Sequence, residues 1–121
     1  MARTAVTITD LTIDAGTDLI SGAVIAPADG ATVNLNGNFG DLLIWVSNTE
    51  SAVYDVTIVA GTGQEAVRSS LGNLVYEVGA GEQAFIVVSG SRFAEAGGDL
   101  LINFETSMTG FVAAYRLPAG L

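Results

Sequence analysis

Five carboxylates in the second half of the chain, Glu77, Glu82, Glu95, Asp99 and Glu105, are its best candidates for chemistry. Two acids facing one bond can act as general acid and base, or as acid and nucleophile on a glycoside. The chain has no histidine and no cysteine, so the usual proton shuttles, thiol nucleophiles and zinc ligands are missing. The alternation around the acids puts them at strand exits or on outward positions, where carboxylates keep a sheet surface wet. No enzymatic role is expected. Asp10, Asp14 and Asp18 recur every four residues and offer oxygen ligands of the kind calcium takes. The stretch lacks the ligand order and closing glutamate of a calcium loop, so solvated turn acids are expected, and no metal. Residues 61–66, GTGQEA, follow the strand-like VTIVA and match the text of a dinucleotide fingerprint. The next segment, VRSSLGN, reaches another turn too soon for a crossover helix. A hairpin loop is expected there, and no cofactor.

The elements that carry these residues read as strands. Period-2 alternation runs through the chain. ATVNL, residues 31–35, points Val33 and Leu35 inward. DLLIWVSN, 41–48, is apolar on both faces, with Leu42, Ile44 and Val46 on one and Leu43 and Trp45 on the other. Such a strand is central or covered on its second face. VYDVTIVA, 53–60, directs Tyr54, Val56 and Ile58 one way, and LVYEV, 74–78, does the same with Leu74, Tyr76 and Val78. QAFIVV, 83–88, is again apolar on both faces. DLLINFE, 99–105, places Leu100, Ile102 and Phe104 inward, and GFVAAYRL, 110–117, places Phe111, Ala113, Tyr115 and Leu117 inward with Arg116 outward. In VTITDLTI, 6–13, the phase breaks at Thr9-Asp10, which predicts an extended arm with a bulge or register change.

Glycines and Asn/Asp residues punctuate these runs at 29–30, 36–37, 61–63, 72–73, 79–81 and 97–98. No window sustains helical periodicity beyond single turns at 64–70 and 91–96. The sum is an all-β, single-domain antiparallel β-sandwich or jelly roll of about eight short strands. An extended arm or first strand occupies 1–13, and the sandwich with a short C-terminal tail occupies 14–121.

Composition bounds the function. The chain has 121 residues, enough for one domain with one core. With no cysteine there are no disulfides, which a reducing compartment tolerates. No apolar run approaches a membrane span, and the N-terminus alternates instead of forming the apolar core of a signal peptide. Thirteen acids against four arginines and no lysine give a net charge of −9, and Arg3, Arg68, Arg92 and Arg116 are scattered. Direct nucleic-acid binding, which needs clustered cations, is not expected. Half the residues are apolar and only 14% are charged. A chain so poor in charge is expected to hide surface against a partner. Trp45, out of phase with its apolar neighbours, belongs to a second packing layer or an intersubunit contact. Arg92 beside Phe93 reads as a partner-binding pair or an ordinary turn pair.

Three stretches carry a resemblance along the chain: MARTAVTITDLT, LLIWVSNTESAVYDVTIVAG and SGSRFAEAGGDLLINFETSMTGFVAAYRLP. The last holds an S-x-R-F element, a Gly-rich turn, a strand ending Phe-Glu and a strand running into Arg-Leu-Pro. In this pattern the chain resembles small phage and prophage head decoration (capsid cement) proteins. It departs from them at Glu95-Ala96-Gly97-Gly98, where they carry Gln-x-Asp-Gly. The resemblance implies a structural protein made in the host cytoplasm and placed on the outer capsid surface. Its partners would be the major capsid protein and itself, as a homotrimer at three-fold or quasi-three-fold positions. Contacts are expected from Arg3, Val6 and Ile8 in the arm, from Trp45, Arg92 and Phe93, and from Pro118 and Leu121 in the tail. Rival readings are another virion β-domain (tail or fibre tip), a carbohydrate-binding sandwich and a secreted hydrolase.

Overall fold

A computed structural model describes residues 3–11, 16, 22–35, 40–60, 72–89, 93, 95 and 98–117. The apolar alternation and the β-branched content of these segments settle into ten strands. They are β1 (Thr4–Val6), β2 (Ile8–Asp10), β3 (Ala23–Val24), β4 (Ala31–Asn34), β5 (Asp41–Asn48), β6 (Tyr54–Ile58), β7 (Leu74–Val78), β8 (Gln83–Ser89), β9 (Asp99–Phe104) and β10 (Gly110–Arg116).

Strands β3 to β10 form a jelly roll. Their antiparallel pairs nest inside one another: β6 with β7, β5 with β8, β4 with β9 and β3 with β10. A single long hairpin rolled over itself gives that nesting and two sheets. The first sheet has the order β1-β4-β9-β6-β7, and the second has β2-β10-β5-β8 with β3 also beside β10. Seven of the expected strands are present as β4 to β10, the expected arm divides into β1 and β2, and β3 is an additional short strand. The sheets are mixed, not purely antiparallel as expected, because β1 runs parallel to β4 and β2 parallel to β10.

The inner faces of the two sheets close on each other. Val33, Leu100, Ile102, Val56 and Ile58 of the first sheet share one core with Leu42, Ile44, Val46, Ile86, Val88, Val112 and Ala114 of the second. The expected phase of β10 is inverted. Val112 and Ala114 face this core, while Phe111, Ala113 and Tyr115 lie on the outer face of the second sheet. Both phases of that strand are apolar, so alternation alone does not choose between them. Arg116, expected outward, follows the inner phase at the strand's end and donates from Nη2 to Leu35 O at 3.0 Å. Its charged head finds a carbonyl at the margin while its stem covers the core.

The arm belongs to both sheets. It leaves the first sheet after Val6 and enters the second at Ile8, so the register change expected at residues 9–10 is a change of sheet at Thr7. β2 lies along Ala114–Arg116 and β3 along Phe111 and Val112, so the two together cover one flank of β10. Arg3 secures the start of the arm, donating from Nη1 to Ile102 O at 3.0 Å and to Ala31 O at 3.4 Å.

A buried asparagine holds the far end of the sandwich. Asn48 is 1% exposed. Its Nδ2 donates to Ala52 O (2.8 Å), Val78 O (3.1 Å) and Gly79 O (3.2 Å), and its Oδ1 accepts from Glu50 N (3.0 Å). One side chain thereby ties the end of β5 to the loop before β6 and to the β7–β8 turn.

Candidate functional site

The two outer faces of the sandwich differ in chemistry. On the first sheet, Asp55 and Glu77 stand opposite each other on β6 and β7. Glu105 joins them, its Oε1 accepting from Asp55 N at 2.9 Å. Thr57 and Asn103, also opposite each other, extend this polar surface. Like charges directly across a strand pair repel. We therefore expect Glu77→Lys to stabilise the fold by a few tenths of a kcal/mol. Thermal unfolding at low and high salt checks this: the gain should shrink as salt rises.

The outer face of the second sheet is built in rows across β10, β5 and β8. Phe111, Ser47 and Gln83 form one row, Ala113, Trp45 and Phe85 the next, and Tyr115, Leu43 and Val87 a third. None of these nine side chains carries a charge at neutral pH. The centre of the face is closed: Trp45 is 6% exposed and packs with Ala113, Tyr115, Leu43 and Leu11. Its indole N–H donates to Gln83 Oε1 at 3.1 Å. Trp45 is thus in a second packing layer, with no free ring face on which a sugar could stack.

The flanks of this face stay open. Phe85 and Val87 on β8 are 63% and 60% exposed, and Val24 and Phe111 are exposed at the opposite corner. β8 ends its sheet, and β7, joined to β8 by the turn at 79–82, ends the other. Tyr76 of β7 points in the core phase yet is 47% exposed, because no neighbouring strand lies beyond it among the described residues. Val75 on the same strand is exposed too. Among the described residues, one long side of the sandwich ends in β7 and β8 with apolar side chains exposed, whereas the arm lies along the other.

The residues expected to meet a partner fare differently. Arg3 bonds to the chain's own carbonyls, Val6 is in its core, and Ile8 packs against that core. Phe93 is buried in the same core. Arg92, Pro118 and Leu121 lie outside the described residues, as do Asp14, Asp18 and the 61–66 loop. The acids considered for catalysis do not gather around one point. Glu77 and Glu105 sit on the first sheet's outer face, Glu82 is in the β7–β8 turn, and Glu95 precedes β9. Among the described residues no group of three or more acids could hold a metal ion. The exposed residues Phe85, Val87 and Val75 were not singled out by sequence, and Tyr76 was placed only in the apolar phase of its strand. The signal for the first two was present in QAFIVVS, whose outward phase is as apolar as its inward one.

No protein-family model, curated protein or solved structure matches the chain.

Proposed function

We propose that this chain is a non-enzymatic structural protein of a virus particle, a decoration protein on the outer surface of the capsid. There it binds the lattice of the major capsid protein and holds it in its assembled state, with three copies around each three-fold position. The observation that carries this reading is the partly exposed outer face of the second sheet, whose three rows across β10, β5 and β8 are uncharged with Asp41 only at the margin, on a chain of net charge −9. Such a surface suits an apolar protein partner and not nucleic acid. The jelly roll is a scaffold that viral capsid and lectin domains share, and the buried ring of Trp45 weighs against the lectin use. The decoration-type stretches of the sequence add the location. Stabilisation would come by mass action, since many copies bind the assembled state and none binds free capsomers as well.

Co-sedimentation with expanded empty capsids of the parent phage tests this. Saturable binding near one copy set per three-fold site, with a raised temperature of capsid disruption, is the expected result. Protein that stays in the supernatant at every capsid concentration would sink the proposal.

A further inference from the structure

We infer that the N-terminal arm is an exchangeable strand: the arm of a second copy of this chain takes the same slot and links neighbouring copies. The arm and its slot lie wholly within the described residues. β1 and β2 are three residues each, and both run parallel to their partners, β4 and β10. Parallel pairs are slightly weaker per residue than antiparallel ones. Beyond these short ladders the arm is held at few points. Thr4 N donates to Gly30 O at 3.0 Å, and Leu11 N to Arg116 O at 2.9 Å. Arg3 Nη1 donates to Ile102 O and Ala31 O. Val6 enters the core, and Ile8 packs against it.

The occupant follows from these contacts. Every partner of the arm belongs to the sandwich that follows it in sequence, so the arm of another copy meets the same groups. Two carbonyls receive an arginine, and the core receives Val6 three residues on. Exchange of an identical element between copies therefore sacrifices no contact.

The connection after the arm has length to spare. Asp10 lies beside Arg116 and Ala23 beside Val112, on the same flank of β10. Arg116 and Val112 are four positions apart on their strand, so the chain has to cover only about 13 Å between the two points. Residues 11–22 intervene, and fully extended they reach about 40 Å. A sheet of five strands is about 24 Å wide. The arm thus reaches the slot of a copy packed alongside. Concentration decides between the two forms. A tether of this length presents its own arm at an effective concentration on the order of 1 mM. Dilute chains keep their arms, and chains held side by side, as in the three-fold arrangement proposed above, exchange them. The exchange needs only a second copy and stands apart from capsid binding.

Cysteines report where an arm sits, since the chain has none of its own. Ala5 and Thr32 are opposite each other in the β1–β4 register. Ala5 is exposed and Thr32 Oγ1 has no hydrogen-bond partner, so cysteine at either position breaks no side-chain bond. Full chains carrying Ala5→Cys and Thr32→Cys are mixed at about 2 mM, warmed to just below the unfolding transition and mildly oxidised. The mixed dimer should form at least ~10-fold faster than either homodimer, because only an exchanged arm sets the two cysteines face to face. At about 10 µM that excess should vanish. Small-angle scattering of the wild-type chain over the same range should show its mass rising with concentration. A chain carrying both cysteines, oxidised while dilute, has its own arm locked and should stay monomeric throughout. Mixed chains that cross-link no faster than the separate ones overturn the inference, as does a locked chain that associates as fully as the wild type. A wild-type chain still monomeric at about 2 mM overturns it too, and that reading holds even if a cysteine variant fails to fold. Failure of capsid co-sedimentation leaves each of these readouts unaltered.

Discussion

Asn48→Asp will cost the fold about 3–5 kcal/mol at neutral pH, although it exchanges only an amide NH2 for an oxygen. The amide nitrogen faces three backbone carbonyls, of Ala52, Val78 and Gly79, and the side chain is 1% exposed. A carboxylate there has no hydrogen to give and sets its charge against three carbonyl oxygens. The surroundings that accept hydrogen bonds also fix which end of the native amide is nitrogen, since Oδ1 meets the N–H of Glu50. The loss should depend on pH. Burial and the facing carbonyls raise the introduced carboxyl's pKa in the folded state above its unfolded value of about 4. The folded state then binds the extra proton, so the variant's stability falls as pH rises from about 4 towards the raised value. Asn48→Ala, which leaves the carbonyls unpaired but adds no charge, should cost about 2–3 kcal/mol with no such dependence. Chemical denaturation of both variants at pH 4 and pH 7 separates them. If the aspartate variant is as stable as the alanine variant at pH 7, the geometry around Asn48 is wrong.

The second large effect lies on the neighbouring strand. Gly110 opens β10 with φ of 141° and stands opposite Asn48 in the β5–β10 register. A Cβ at this position would collide with the carbonyl of Ser47, backbone of the central strand β5. The carbonyl cannot rotate away without breaking the ladder, and Gly110 O also accepts from Ile25 N at 2.9 Å. We expect Gly110→Ala to destabilise by about 3 kcal/mol or more, summing backbone strain with strand displacement. Gly81, in the β7–β8 turn, also has positive φ but has open space where a Cβ would go. Gly81→Ala should therefore cost only about 1 kcal/mol of strain. The ratio between the two, measured by urea unfolding, isolates the steric part. Equal costs would mean that Gly110 is no closer to β5 than an ordinary turn glycine.

Much of the fold is legible in the alternation, and the places where it fails share a cause. The double-faced apolar run of β5 announces a central strand, and β5 lies between β10 and β8. The single-faced runs of β4, β6 and β9 point Val33, Val56, Ile58, Leu100 and Ile102 inward as their spacing predicts. β10 defeats the same logic because it, too, is central. With two apolar phases, the lone charge of Arg116 was the only guide, and that guanidinium reaches back to Leu35 O. QAFIVVS reads like β5 but ends its sheet, since composition does not say whether a second neighbour exists. Tyr76 keeps its core phase and loses its cover for the same reason. Asn48 was legible only as the last residue of the 41–48 run, because nothing local distinguishes a surface asparagine from one whose amide joins three segments. The place of the arm was not legible either. An extended N-terminal stretch can add to a neighbour's sheet or to its own, and here Thr4–Val6 and Ile8–Asp10 add to their own.

The way the arm spans both sheets governs the order in which the polypeptide can assemble. Ile8 sits beside Ala114, and Thr4 beside Ala31. The nested hairpin can zip outward from β6 and β7, each successive pair closing a longer loop at a small added entropic cost. β2 must wait, because its partner strand β10 follows every other strand of the sandwich along the chain. During that interval the flank of β10 that it will cover is bare. A topology so dominated by distant pairings folds on the scale of milliseconds to seconds, slow for its length. A segment made before the rest of the sandwich is therefore docked late, and nascent chains crowded on one messenger are at greatest risk of cross-pairing just before it docks.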